Sequence, residues 1–281
     1  MTDIIETYGK SLIQHGKNSD RIYLMKCDTA APDQIITDMN QLAHAKNYSK
    51  IVAKIPESLD PIFKADGYQE EAEIPSFYHG KESCKMLVKY LCPKRKNLAN
   101  EIKLKQILTY AIANKDNPVT KTLPPQYQIR RLLESDIPLL AQLYNKVFKS
   151  YPFPIFEASY LRETMADQVL YFGVFLSGHL VAASSSEMDP DNLNAEMTDF
   201  AVLPKYRGQQ LALHLLHDME KYMTRSGFCL LYTIARAASF GMNTTFARAN
   251  YQYGGTLINN TQISGSIESM NIWYKELANV Q

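Results

Sequence analysis

Short β-like runs and segments with helical spacing take turns along this chain. R-I-Y-L-M-K (21–26) and K-I-V-A-K-I (50–55) predict strands, and residues 33–45 between them predict a helix. Over 98–113, Leu104, Ile107, Leu108 and Ala111 recur at helical spacing, as a connecting helix requires; Asn117–Pro118 and Pro124–Pro125 then mark a boundary. Y-Q-I-R-R-L (127–132) alternates like a strand. Ser135 and Asp136 follow as cap candidates, and Ile137, Leu140, Ala141, Tyr144 and Phe148 form one helical stripe. After the turn Y-P-F-P-I-F (151–156) come a second helix over 157–166 and two strands, 171–175 and 179–185; Ser177 and Gly178 between these strands predict a hairpin.

The segment A-E-M-T-D-F-A-V-L-P-K-Y-R-G-Q-Q-L-A (195–212) holds the centre of this pattern. A partly apolar strand breaks at Pro204, passes through a basic, glycine-containing turn and enters a helix with the stripe Ala212, Leu215, Leu216, Met219, Tyr222 and Met223, closed by Gly227. The continuous apolar run 228–234 predicts a buried strand. Asn243 is expected to begin a short helix, Gly254 and Gly255 to make a turn, and 270–274 to form the last strand. The fold class is α/β with a mixed sheet. Three parts are expected: an N-terminal α/β domain over 1–95, a connecting helix and linker over 96–125, and the main domain over 126–281. F-K-A-D-G-Y-Q (63–69) and F-A-R-A-N-Y-Q (246–252) share three of seven positions, and each precedes a Met-containing strand that ends in Tyr, K-M-L-V-K-Y and M-N-I-W-Y. That repeat implies an N-terminal part that is a degenerate copy of the later one, used for packing or substrate closure rather than chemistry.

With 46% hydrophobic and 21% charged residues, the chain has the make-up of a globular protein with a real core. A net charge of +1 offers no attraction to nucleic acid or to an anionic membrane, so a small-molecule ligand is expected. Cys27, Cys84, Cys92 and Cys229 lie scattered, without metal-ligand or disulfide spacing; no metal is expected, and a reducing cytoplasm fits. No export signal or membrane span is read from the sequence. Lys94 to Lys96 read as a solvated turn.

A turn of the 195–212 kind presents unpaired backbone N–H groups and the positive end of a helix dipole, with Arg207 beside them, and suits a phosphate. V-L-P-K-Y-R-G-Q-Q-L-A resembles the acetyl-CoA loop of the GNAT N-acetyltransferases: Arg or Gln, two residues, Gly, one residue, then Gly or Ala. Arg207 and Ala212 fit; Gln210 replaces the middle glycine, with Gly208 close by. The resemblance covers 127–277 and implies the acetyltransferase fold, acetyl-CoA as acetyl donor, and cofactor contacts from Arg207, Gly208, Gln209, Gln210, Leu211 and Ala212. It further implies that backbone N–H groups of Phe200, Ala201 and Val202 face the acetyl oxygen while pantetheine pairs along this strand. Asn243 is similar to the family's cofactor-contacting asparagine, its other reading being a helix N-cap. Glu196, five residues before Ala201, stands where many family members carry the glutamate that takes the amine proton. Asp199 is the second candidate; it faces the other side of the strand unless a bulge intervenes. The family's tyrosine acid falls on Ala247, so Tyr251, Tyr253 or a water is left for that role. Tyr151 and Phe153 would wall the acceptor site, and Arg236 and Arg248 are candidates for holding a substrate carboxylate, each otherwise a surface or capping residue.

I-Q-H-G-K (13–17), D-R-I-Y-L-M-K (20–26), A-E-I-P-S-F-Y-H-G (72–80), S-Y-P-F-P-I (150–155), Y-R-G-Q-Q-L-A and F-A-R-A-N-Y-Q-Y-G-G-T-L-I-N-N (246–260) together resemble the β-lysine N6-acetyltransferases over nearly the whole chain. That resemblance implies acetylation of the terminal amine of (3S)-3,6-diaminohexanoate to give a compatible solute for salt stress, with a lysine 2,3-aminomutase as metabolic partner. Two other readings stand beside it: acetylation of another small amine, such as a lysine or polyamine, and a non-catalytic acetyl-CoA-binding module. The oligomeric state is left open.

Overall fold

A computed structural model describes residues 3–115 and 122–277. Asn117 and Pro118 of the expected boundary lie outside the described residues. The chain begins with β1 (Ile4–Tyr8), β2 (Ser11–Gly16), β3 (Arg21–Lys26), α1 (Pro32–Lys46), β4 (Lys50–Pro56), α2 (Asp60–Ala65), β5 (Gln69–Tyr78) and β6 (Glu82–Tyr90). The connecting helix follows as α3 (Glu101–Ala113), then β7 (Tyr127–Arg131), α4 (Ile137–Val147), α5 (Ala158–Ala166), β8 (Val169–Leu176), β9 (His179–Asp189) and β10 (Asn194–Val202). The last elements are α6 (Leu211–Arg225), β11 (Leu230–Arg236), α7 (Phe240–Arg248), β12 (Gln252–Ile263) and β13 (Ser266–Glu276).

Among the described residues the strands form one mixed sheet, in the order β1-β2-β3-β4-β6-β5-β12-β13-β11-β10-β9-β8-β7. Two halves of this order follow the same plan. In the first, β3 runs parallel to β4 through α1, and α2 leads to the β5–β6 hairpin. In the second, β10 runs parallel to β11 through α6, and α7 leads to the β12–β13 hairpin. The short sequence repeat falls on equivalent corners. Phe63 meets Tyr68 edge-on at 5.2 Å where α2 ends, and Phe246 meets Tyr251 edge-on at 5.0 Å where α7 ends.

Helix α6 forms because Leu211, Leu215, Leu216, Met219 and Met223 fall on one side, all 2% exposed or less, against β8, β9 and β10. Burying each such side chain contributes about 2 kcal/mol. Gly227, at φ 81, takes the left-handed turn that ends the helix. The stripe is rotated slightly from the expected one: Ala212 and Tyr222 are only half-buried.

The two halves meet in β5 and β12, and here the sequence misleads. Gly254 and Gly255, expected as a turn, lie inside β12. A Cβ at Gly254 would stand 2.4 Å from the Glu73 carbonyl oxygen, and one at Gly255 2.3 Å from that of Glu71. The glycines permit backbone-to-backbone contact, with Gly255 paired to Ala72. Beside this contact the Lys50 ammonium, fully buried, donates to Glu71 at 3.0 Å and to the Ile258 carbonyl at 2.7 Å. Arg95 is not solvated as a turn residue would be: it is 8% exposed and donates to the carbonyls of Ser19 and Asn259 and to Ser49.

Beyond this join the sheet turns back on itself. Tyr23, Val52, Met86 and Val88 of the first half share one buried cluster with Leu230, Tyr232, Met270 and Ile272 of the second. Lys54 on β4 comes within 5.8 Å of the Tyr232 ring on β11, although β6, β5, β12 and β13 lie between their strands in the sheet. Helices α1 and α2 cover the outer face of the first half, α6 and α7 that of the second.

Candidate active site

The parallel ladder between β10 and β11 is only three pairs long and ends at Glu196 opposite Tyr232. Past that point β10 pairs with β9 alone, so the edge of residues 197–202 that faces β11 has no strand partner. A bulge between Thr198 and Ala201 interrupts the β9 side as well, with Asp199 at φ 55. The bulge undoes strict alternation: Glu196, Thr198, Asp199 and Phe200 all line one cavity beside the gap. Both proton-acceptor candidates are thereby brought together.

Glu187 on β9 joins them, since the register sets it directly opposite Glu196. Tyr232 and the Ile234 backbone N–H donate to Glu196. The apolar setting raises Glu196 well above the ordinary 4.5, and Asp199 adds to the rise while Lys54 opposes it. Glu187 is pushed up in the same direction by its crowded position in the cavity, beside Glu196 and Asp199, with Lys54 opposing. Asp199 is raised by burial and held back by its bonds: Ser185 donates to Oδ2 at 2.7 Å, and the Tyr151 hydroxyl donates to Oδ1. Burial works against the Lys54 ammonium, and the nearby carboxyl groups of Glu196 and Asp189 hold it charged. Crowded carboxylates with a strengthened hold on protons suit proton transfer near neutral pH.

At the other end of β10, Pro204–Tyr206 form one 3-10 turn and Gly208 is at φ 79. Gln210 takes the left-handed conformation, φ 60 and ψ 21, that a glycine would take at this position, so the replacement keeps the turn's shape at a cost of about 1 kcal/mol. Its side-chain oxygen is buried without a partner. The N–H groups of Leu213 and His214 return to the Gln210 carbonyl, and the first N–H groups of α6 have no helical acceptor. Arg207 is exposed beside them, donating to the Val202 carbonyl at 3.3 Å, and Gln209 accepts from Tyr127 at 2.6 Å. The unmade N–H groups at this helix end suit an anion, and the free edge of β10 offers pairing to an extended chain, so the residues present fit the expected donor.

The other expected site residues divide between this cavity and other places. Tyr151 and Phe153 line the cavity as expected. Tyr251 does not: it is 3% exposed in the core under α6, against Phe246 and near Glu220. Asn243 neither caps nor begins a helix, since Ser239 caps α7 from the residue before Phe240. It is fully buried and saturated, donating to the carbonyls of Arg236 and Ser239 and accepting from Asn271 and Trp273, which leaves nothing for a cofactor. Arg236 lines the cavity, yet both its fork nitrogens are held by Glu268 at 2.9 and 2.6 Å. Arg248 lies in the last turn of α7 and is not among the cavity-lining residues. Sequence reasoning missed Glu187 and the first half's contribution of Gln14, Arg21, Tyr23, Met25 and Lys54. The D-P-D-N turn (189–192) was a usable signal for Glu187, because it sets the β9–β10 register.

A free strand edge leading from an anion-compatible helix-end turn to a nest of carboxylates suits a transferase that handles an extended, anionic donor, the class the sequence resemblance implies. Comparison with known proteins narrows this. The Acetyltransferase (GNAT) family model matches residues 137–243. The β-lysine N(6)-acetyltransferase of Methanococcus maripaludis is 38% identical over 98% of this chain and 99% of its own length. The N-acetyltransferase YodP of Bacillus subtilis is 33% identical over 95% of this chain and 96% of its own. A second β-lysine N(6)-acetyltransferase, from Methanosarcina mazei, is 31% identical over 87% of this chain and 97% of its own. The chain belongs to the GNAT family and is an acetyl-CoA-dependent N-acetyltransferase.

Proposed function

We propose that the enzyme transfers the acetyl group of acetyl-CoA to the N6 amine of β-lysine, (3S)-3,6-diaminohexanoate. The observation that carries this reading is the near-full-length likeness to β-lysine N(6)-acetyltransferases of two species. Glu196 takes the proton of the terminal ammonium, directly or through one water; its raised proton affinity narrows the gap to an amine whose ordinary pKa is about 10.4. Asp199 is the weaker base, because Ser185 and Tyr151 already occupy its two oxygens. Backbone N–H groups of Phe200 to Val202 stabilise the acetyl oxygen as it gains charge, and Arg207 with the turn 208–212 holds the pyrophosphate. The product keeps one ammonium and one carboxylate, as befits a compatible solute under salt stress. A lysine 2,3-aminomutase would supply the substrate, in the cytoplasm; no helix among the described residues is long and apolar enough to cross a membrane.

We read residues 1–95 as a degenerate copy of the catalytic domain at 126–281, joined by 96–125. The shared strand order and the repeated Phe–Tyr corner support that division. The test of the activity is thiol release from acetyl-CoA with β-lysine, α-lysine and spermidine in parallel, the acetyl group being located by NMR. Turnover confined to β-lysine at N6 supports the reading. Equal rates on all three would replace it with a general amine acetyltransferase, to which three carboxylates in one cavity are also suited.

A further inference from the structure

Arg21 is the oddest residue of the cavity. It is 4% exposed, yet its Nε and Nη1 have no hydrogen-bond partner; only Nη2 is used, on Gln14 Oε1 at 3.3 Å. That bond fixes the Gln14 amide so that its Nε2, also buried and unpartnered, stands free beside the guanidinium. Asn260 on β12, 2% exposed, spends its amide nitrogen on Thr261 and leaves Oδ1 unpartnered. All three side chains line the same cavity as Glu196. Burial lowers Arg21 most, with Tyr23 and Asp3 opposing the fall and Arg95 adding to it. Asp3, the carboxylate of that group, does not bond it and has its own unpartnered oxygen. Tyr23 stands between the two ends: its ring lies 5.1 Å from the Arg21 guanidinium, and its hydroxyl senses both Arg21 and Glu196.

A buried guanidinium with unmade bonds is costly to leave so, and its planar fork matches a carboxylate. We propose that Arg21 and Gln14 bind the carboxylate of the acceptor, with Asn260 accepting from the neighbouring ammonium, so that the first half of the chain selects a diamino acid over a plain diamine. This inference rests on the acetyl-transfer reading above and assigns its acceptor subsite. It replaces Arg236 and Arg248, expected from the sequence, with a residue from another part of the chain. It also accounts for three segments distant from the phosphate turn: I-Q-H-G-K supplies Gln14, D-R-I-Y-L-M-K supplies Arg21, and the L-I-N-N end of β12 supplies Asn260. An acceptor held by its carboxylate at Arg21 presents its far amine toward Glu196, which selects the terminal nitrogen by reach.

The experiment compares kcat/KM for β-lysine with that for 1,4-diaminopentane, which is β-lysine without its carboxylate, in the full-length wild type and in Arg21→Leu. The acid-to-diamine ratio should fall by about 10²-fold or more in Arg21→Leu, chiefly through KM, and by about 10-fold in Gln14→Leu. The dissociation constant of acetyl-CoA should stay unchanged. A ratio retained in Arg21→Leu overturns the proposal. Should that variant fail to fold, wild type offered β-lysine methyl ester decides: rejection of the ester by a similar factor supports the subsite, and equal use of ester and acid overturns it. Wild type that prefers α-lysine to β-lysine, yet still prefers it to 1,5-diaminopentane, would sink the β-lysine reading and leave the carboxylate subsite standing. No preference for either acid over its diamine would overturn the subsite alone.

Discussion

Replacing Glu196 by Gln should make this protein both slower and more stable, a pairing that separates a base from a structural carboxylate. The amide keeps the side chain's shape, and its single oxygen retains an acceptor for Tyr232 or the Ile234 N–H, so packing is preserved. Loss of the proton acceptor should lower kcat by about 10²-fold or more with acetyl-CoA affinity unchanged. The stability effect follows from linkage. Because the folded-state pKa of Glu196 lies above its unfolded value near 4.5, folding is favoured while the group is protonated, and that advantage is lost as pH rises through the folded pKa. Each unit of elevation corresponds to about 1.4 kcal/mol. Glu196 is partly exposed to the cavity, and screening there trims the expected gain of the variant at pH 8 to about 1 kcal/mol. For a chain of this size that raises Tm by about 2–4 °C at pH 8, and the difference should vanish below the unfolded pKa. Thermal melts across pH, set beside steady-state rates on the same preparations, measure both. A variant that loses activity and stability together would show Glu196 to be structural, and one that keeps full activity would move the base to Asp199.

The acid limb of the kcat/KM profile should lie well above the ordinary carboxylate range, and Lys54→Met should move it further up, because Lys54 is what opposes the rise in Glu187 and Glu196; a limb that stays put in the variant would remove Lys54 from the site's electrostatics. Gly255→Val should destabilise by about 3 kcal/mol or prevent folding, as its Cβ would meet the Glu71 carbonyl at 2.3 Å, which denaturant titration would detect. Asn243→Ala should cost about 3 kcal/mol in stability by stranding Asn271, Trp273 and several carbonyls, while acetyl-CoA binding by calorimetry stays nearly unchanged; a selective loss of affinity would restore its expected cofactor role.

Local pattern carried a good deal of this molecule. The apolar stripe of α6 and the basic turn before it were legible because helical spacing and a broken strand leave marks within a few residues. So was the pairing of Phe63–Tyr68 with Phe246–Tyr251, since the two corners repeat one local geometry. The position of Glu196 on the strand ahead of the turn was legible from its place in a motif, while its role as base is a proposal. Gly254 and Gly255 were not: a glycine pair signals a turn from sequence, and only the approach of β5 shows that the missing side chains make room for another backbone. Asn243 and Arg236 carried polar groups suited to a ligand, but Trp273, Asn271 and Glu268, distant in sequence, consume them. Asp199 could face either way until the bulge at Thr198–Ala201 turned it toward Glu196. Arg21 lay beyond any local reading, because an arginine at the head of a strand is ordinary. It becomes exceptional only where the sheet turns back and sets its buried guanidinium in one cavity with Asn260, with two of its nitrogens unpartnered and the carboxylates lining the same cavity. Local propensity and periodicity therefore determined most elements and the turn that opens α6, while the neighbours of each polar atom, and with them the chemistry of the cavity, were set by contacts between residues far apart in the chain.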